Sequence, residues 1–217
     1  MTTAEEPGPR RERPGKAAIM RAAVVVIGEN GYEGASTRDM AARAGVSAAA
    51  LYHHFPSKLD LLREFIEESY DVILARIDRR LADAGPTPPE RLDEIVGTLI
   101  ASTLHDEFAQ LASTVAWREY TRLAPPDRKL IEEKRAELRG LVEGVIEDGR
   151  ATGEFAVADV GEAAWAITTL AMTLWEPNVA NRMSMLDLIA VYQGFARSIA
   201  GGRGAQAGAA AASAKSR

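Results

Sequence analysis

The side chains with the most chemistry to offer are gathered in one stretch, STRDMAARAGVSAAALYHHFPSK, from Ser36 to Lys58. It holds hydroxyls (Ser36, Thr37, Ser47, Tyr52), two adjacent imidazoles (His53, His54), a guanidinium at Arg38 and an ammonium at Lys58. Such groups donate and accept hydrogen bonds, which is the chemistry of recognition. Catalysis has no comparable support: the chain carries no thiol, no Ser-His-Asp signature and no G-x-x-x-x-G-K-[ST] loop. Adjacent histidines on a helix point in different directions, so His53 and His54 are poorly placed to share a zinc ion, and the one other histidine is His105. No enzyme, no metal and no cofactor is expected. The absence of cysteine also removes disulfides and fits a cytoplasmic protein.

Two short helices must position these groups. Ser36 and Thr37 offer hydroxyl caps, and Asp39 puts a negative charge in the first turn, where the helix dipole favours it. Met40, Ala41 and Ala44 repeat at helical spacing, and Gly45 ends the pattern where a positive φ costs least. Ser47 then caps a second helix, Ala48 to about His54, which Pro56 terminates. Two helices of this length joined by a tight glycine turn describe a helix-turn-helix.

So small a pair cannot bury a core alone. Upstream, Ile19, Ala22, Ala23, Val26 and Ile27 form an apolar stripe ended by Asn30-Gly31; downstream, Ser57 caps a long helix bearing Leu61, Leu62, Phe65 and Ile66. With Gly31-Tyr32, Thr37, Arg38, Ala41-Ala42, Ala44-Gly45-Val46-Ser47, Leu51-Tyr52, Phe55 and Ser57-Lys58, residues 16 to 66 resemble the DNA-binding half of the TetR family of transcriptional repressors. The resemblance implies that Thr37, Arg38, Tyr52 and Lys58 meet backbone phosphates, while Ala48, Ala49, Ala50 and His53 face base edges. Ser47 to His53 is then the recognition helix, seated in the major groove. Leu51 and Phe55 are read as core anchors. Three consecutive alanines depart from the family's usual pattern. Alanine can touch a thymine methyl but cannot form the bidentate bonds that identify a G·C pair. Direct readout is therefore expected to lean on Ser47, His53 and Arg38, with DNA shape supplying much of the rest.

Charge is distributed to match. The 217-residue chain has a net charge of −5, yet residues 10–58 hold eight basic against four acidic residues, whereas residues 59–200 hold 15 against 25. A basic head on an acidic body attracts phosphate at one end only. No uninterrupted apolar run of 18 residues implies a membrane span, and the charged N-terminus lacks the apolar core of a secretory signal.

The expected fold is all-α with about nine helices. Residues 1–14, rich in proline and charge, read as a disordered arm, 15–60 as the helix-turn-helix domain, 61–200 as a helical effector-binding and dimerisation domain, and the Gly/Ala/Ser-rich 201–217 as a flexible tail. In the body, helices are expected from Ser57 to about Ala82, Glu90 to Leu104, and Asp106 to Arg122. Three more follow: one from an N-cap at Asp127 to Gly149–Gly153, one from Asp159 to Glu176, and one over Ser184–Ala200. The last two carry Ala163, Ile167, Leu170 and Leu174, and Leu186, Ile189 and Phe195, candidates for packing across a two-fold axis on a palindromic operator.

The remaining helices are more than dimerisation needs and offer room for a small hydrophobic effector. His105, Phe108, Trp117, Tyr120 and Trp165 are candidates to line its cavity, and Arg118 to meet an anionic end. From Trp117-Arg118-Glu119-Tyr120 through Asp148-Gly149 to Gly153-Glu154-Phe155 the chain is similar to the bodies of TetR-family regulators of fatty-acid and sterol breakdown. Several of those release DNA on binding an acyl-CoA, which makes an acyl-CoA the candidate effector here. The competing expectation is a constitutive DNA-binding regulator with no effector.

Overall fold

The computed structural model describes residues 15–83, 85, 87–174 and 183–201. The arm at 1–14, the tail beyond Gly201 and the helix end expected at Glu176 lie outside them. Among the described residues the chain is all-α: nine α-helices, one 3-10 turn and no strand. It divides into two compact units, one ending at Leu62 and the other beginning at Arg63.

The first unit holds α1 (Lys16–Gly34), α2 (Thr37–Ala44), α3 (Ala48–His54) and the first turn of α4 (Lys58–Asp83). Its core is the stripe the spacing predicts: Ile19, Ala23, Val26 and Ile27 are buried with Met40, Leu51, Phe55, Leu61 and Leu62. Asn30-Gly31 does interrupt α1, because Gly31 takes φ 69°, but a further turn follows to Gly34. The three serines cap their helices, while Thr37 is the first residue of α2 and turns its hydroxyl to Tyr52 instead. Ser36 accepts from the Asp39 amide, Ser47 from Ala50 and Ser57 from Asp60. Gly45 adopts φ 70°, which lets its own amide and that of Val46 return to the Ala42 and Ala41 carbonyls and fixes the corner between α2 and α3.

In the second unit, α5 (Pro88–Leu104) is the central helix. Leu92, Ile95, Val96, Leu99 and Ile100 are all buried, and the helix packs against α6 (Glu107–Glu119), α7 (Pro125–Thr152), α8 (Val160–Met172) and α9 (Met185–Ile199). Two starts differ from the sequence reading for one reason. Proline lacks only an amide that a first turn leaves unbonded anyway, so it is tolerated at the first helical position. Hence α5 begins at Pro88, two residues early, with Thr87 and Glu90 forming a reciprocal capping box. Likewise α7 begins at Pro125, which puts Asp127 inside the first turn rather than at the cap. The helix expected from Asp106 to Arg122 stops at Glu119 and tightens into a 3-10 turn, Tyr120–Arg122. After Asp159, which does cap it, α8 ends at Met172, before the expected end.

One charge in this core is poorly served. The Asp93 Oδ1 atom is buried without a hydrogen bond, 3.3 Å from Arg197 Nε. Burial pushes the Asp93 pKa above the ordinary aspartate value, against the pull of Arg197. A carboxyl whose pKa is raised by folding is protonated more readily folded than unfolded, so its contribution to stability grows as pH falls through the window above 3.8. Asp93→Asn is therefore expected to leave Tm at pH 7 unchanged or raised, and to flatten its rise toward pH 5. A lower Tm at pH 7 with the slope intact would contradict this, and thermal unfolding at both pH values reads it.

Candidate nucleic-acid interface

On α3 the side chains sort themselves by polarity. Leu51 and Phe55 are fully buried, as expected of anchors, while Ser47, Ala48, Ala49, Tyr52 and His53 are exposed and Ala50 is half-buried. The outward face is thus a smooth alanine surface bounded by Ser47 at one end and by Tyr52 and His53 at the other. The His53 and His54 rings meet edge to face at 5.6 Å, and His54 leans toward Phe55.

Tyr52 reaches back to α2. Its hydroxyl lies 3.0 Å from Thr37 Oγ1, so two groups fifteen residues apart in sequence are joined by one hydrogen bond. One hydroxyl proton closes the pair, which leaves the other free to donate to a phosphate oxygen. Arg38, beside Thr37, is exposed. Arg43 is paired with Glu29 at 2.7 Å, so its charge is already answered on the protein.

Lys58 is placed in a way that spacing did not suggest. Its ammonium donates to the carbonyls of Tyr32 at 2.5 Å and Ala35 at 3.1 Å, and lies 4.1 Å from the Tyr32 ring centroid. Two of its three protons therefore hold the end of α1, where helix carbonyls lack partners and the dipole attracts a cation. A sequence signal did exist: Lys58 follows the Ser57 cap, and a side chain in a first turn can lie alongside a neighbouring helix end. It could not say which end.

In the second unit, the residues read as a dimer face divide. Ala163, Ile167 and Leu174 are buried within the chain, and Ile189 is half-buried. Leu170, Leu186 (75% exposed) and Phe195 (51%) are open to solvent, together with Trp165 (55%), Met185 and Val191, which spacing alone did not single out apart from Trp165.

The residues read as a ligand cavity do not converge as a set. His105 pairs with Asp106 on the surface, Phe108 is half-buried, and Arg118 is exposed. Trp117 (47% exposed) and Tyr120 do come together, around a residue that nothing in the spacing singles out. The Arg135 guanidinium lies 5.9 Å from the Trp117 ring, 4.2 Å from Tyr120 and 6.0 Å from Tyr70. It also donates to the Tyr70 hydroxyl at 2.9 Å and to Glu132 at 2.7 Å. Burial works against the Glu132 carboxylate, but hydrogen bonds from Tyr120 and Arg135 and the latter's charge outweigh it and lower its pKa. Between α5, α8 and α9 lies an apolar cleft of about 10 Å³, lined by Val96, Ile167, Leu170, Tyr192 and Phe195 among others. A larger groove of about 300 Å³ is lined by Arg63 and by Glu64, Glu67, Glu68 and Asp71, a surface suited to water rather than to an acyl chain. Among the described residues no helix is long and apolar enough to cross a membrane.

The family model described as bacterial regulatory proteins of the tetR family matches residues 19–65, and the one described as a tetracyclin repressor-like C-terminal domain matches residues 85–176. The transcriptional repressor KstR2 of Mycobacterium tuberculosis is 30% identical over 138 residues, 63% of this chain and 67% of that protein. A tetR-family regulatory protein from Rhodococcus RHA1 superposes with a TM-score of 0.77 at 26% identity, covering 86% of this chain and 97% of that one. The structure of AibR in complex with isovaleryl coenzyme A and operator DNA has a TM-score of 0.72 at 21% identity, covering 83% and 96%.

Proposed function

We propose, since the chain belongs to the TetR family of transcriptional repressors, that it acts in the cytoplasm as a homodimer on a palindromic operator and leaves DNA when a small hydrophobic effector, an acyl-CoA, binds its body. Residues 15–60 are then the DNA-reading part and 61–200 the dimerisation and effector part. The observation that carries the DNA half is the outward face of α3 with its Thr37–Tyr52 pair. A single head of this size binds weakly at moderate salt, and two heads about one helical turn apart on one duplex remedy that. The exposed apolar side chains of α8 and α9 support a second copy as the occupant of that face: they are continuous with the body's core, and a family of dimeric repressors needs such a face. The effector half is supported by AibR, whose structure holds isovaleryl coenzyme A. A ligand acts by preferring one spacing of the heads, and α4, continuous across the boundary between units, is the element able to transmit it.

The test is to sequence DNA retained by the full chain from random fragments, with and without a panel of acyl-CoA thioesters. A palindromic motif lost in the presence of one thioester supports both halves; no enriched motif sinks the first and a motif indifferent to every thioester sinks the second. The second reading, a regulator without effector, is favoured by the closed state of the apolar cleft, since about 10 Å³ holds no acyl chain.

Two substitutions probe the reading surface. Ala49→Lys adds a cation to its smooth part, so non-specific affinity is expected to rise and the slope of log K against log salt to steepen by about 0.9 per head. Lys58→Met removes the tie to α1. The expected result is a head destabilised by about 1 kcal/mol, with the salt slope of operator binding unchanged. A slope shallower by about 0.9 per head would instead put the ammonium on a phosphate.

A further inference from the structure

The Arg135 cluster belongs to a longer stripe. Arg128, Glu132, Arg135 and Arg139 recur four, three and four residues apart, the spacing that keeps side chains on one face of a helix. All four interact: Arg128 and Arg135 act electrostatically on Tyr120, and Arg135 and Arg139 act on Glu132. One carboxylate thus faces two guanidiniums, Arg135 and Arg139, and a third, Arg128, acts on the Tyr120 that bonds it, in a body whose residues 59–200 are otherwise acidic by 25 to 15. Against the stripe stand two aromatic rings on or just after α6: Tyr120, whose hydroxyl bonds Glu132 at 2.6 Å, and Trp117, whose ring is nearly half open to solvent.

Arg135 has capacity left. Of five guanidinium N–H groups, Nε serves Tyr70 and one on Nη1 serves Glu132, and no further hydrogen bond is formed among the described residues. Its two hydrogen bonds and the rings around it hold the fork in place, so a ligand finds it already ordered. A planar aromatic surface next to several unsaturated guanidiniums fits a phosphorylated nucleotide: an aromatic base stacks, and phosphate oxygens take the forks bidentately. An alkyl carboxylate would use one cation and neither ring.

We infer that Trp117, Tyr120, Arg128, Arg135 and Arg139 form a subsite for a phosphorylated nucleotide, and that it takes the nucleotide half of the acyl-CoA effector. This rests on the acyl-CoA reading and adds where the polar end of that molecule is held. Phosphate oxygens take the Arg135 N–H groups that Glu132 and Tyr70 leave open, so the tie between α4 and α7 that Arg135 makes stays in place in the complex.

The experiment uses the full chain, with calorimetry and tryptophan emission as readouts. The probes are coenzyme A, octanoyl-CoA, octanoate, adenosine 3′,5′-bisphosphate and inorganic pyrophosphate. Coenzyme A, its thioester and the bisphosphate are expected to bind and to quench Trp117 emission, and octanoate to bind at least about tenfold more weakly. Arg135→Met should weaken coenzyme A binding about 10- to 100-fold. Because Arg135 also ties α4 to α7, Arg139→Gln is the companion variant that leaves those contacts in place, with a loss of about tenfold. Unchanged affinity in both variants overturns the site, as does octanoate binding as tightly as octanoyl-CoA. Pyrophosphate matching coenzyme A overturns the nucleotide assignment. Weakened non-specific duplex binding in Arg139→Gln with coenzyme A affinity intact would reassign the patch to DNA and likewise overturn it. Operator release by octanoyl-CoA at the same concentration in both variants would sink this subsite alone; release by no thioester would sink the effector reading beneath it.

Discussion

Replacing Leu186 and Phe195 together by glutamate is expected to yield a folded monomer whose operator affinity is about 10²- to 10⁴-fold below that of the native chain. Both side chains lie on α9 with most of their surface in water, so the change removes little from the chain's own core. At a two-fold interface the cost is doubled, because each copy would desolvate new carboxylates against the other. The loss of affinity follows from bivalency: once one head is bound, the second finds its half-site at high effective concentration only while the copies are joined. Light scattering gives the mass, and operator titration gives the affinity. Leu188→Glu is the contrast, since Leu188 is buried inside the chain and should cost the fold itself. A double variant that remains dimeric would remove the α8–α9 face from the account.

The second large effect is expected at Gly149. A Cβ there would lie 2.7 Å from Cε2 of Phe155 and 2.9 Å from its Cγ, and closer still to Cδ2. The ring has little freedom to retreat. It is buried, and the amides of Glu154 and Phe155 both donate to the Gly149 carbonyl, at 2.8 and 2.9 Å, which ties the ring's own backbone to the helix it covers. Gly149→Ala should therefore destabilise the body by about 2 kcal/mol, overpacking outweighing alanine's better helix propensity. For a unit of this size that lowers Tm by roughly 4–8 °C. Adding Phe155→Ala tests the cause. If the clash is responsible, the double variant is no less stable than Phe155→Ala alone; simple additivity of the two losses would refute it.

The head was legible because its signals are local. Ser36, Ser47, Ser57, Gly45 and Pro56 each act within four residues of themselves, and the structure places each where its chemistry required. The body's central helix was legible too, since the Leu92–Ile100 stripe is unambiguous. What escaped depended on where side chains go after leaving their own helix. Nothing in the spacing links Lys58 to the Tyr32 carbonyl or Arg135 to Tyr70, partners 26 and 65 residues away. The division of α8 was likewise hidden. Ile167 and Leu170 are both apolar and three apart, yet one faces the chain's core and the other faces water, a distinction made by the neighbours of α8 and not by its pattern.

The Lys58 contact also defines where a minimal reading module must end. A fragment stopped just short of residue 58 would keep α1, α2 and α3 but leave the Tyr32 and Ala35 carbonyls without their cation, as well as lacking Leu61 and Leu62 as a lid on the hydrophobic interior. Excised at residue 66 or beyond, the same module would retain its closing screw.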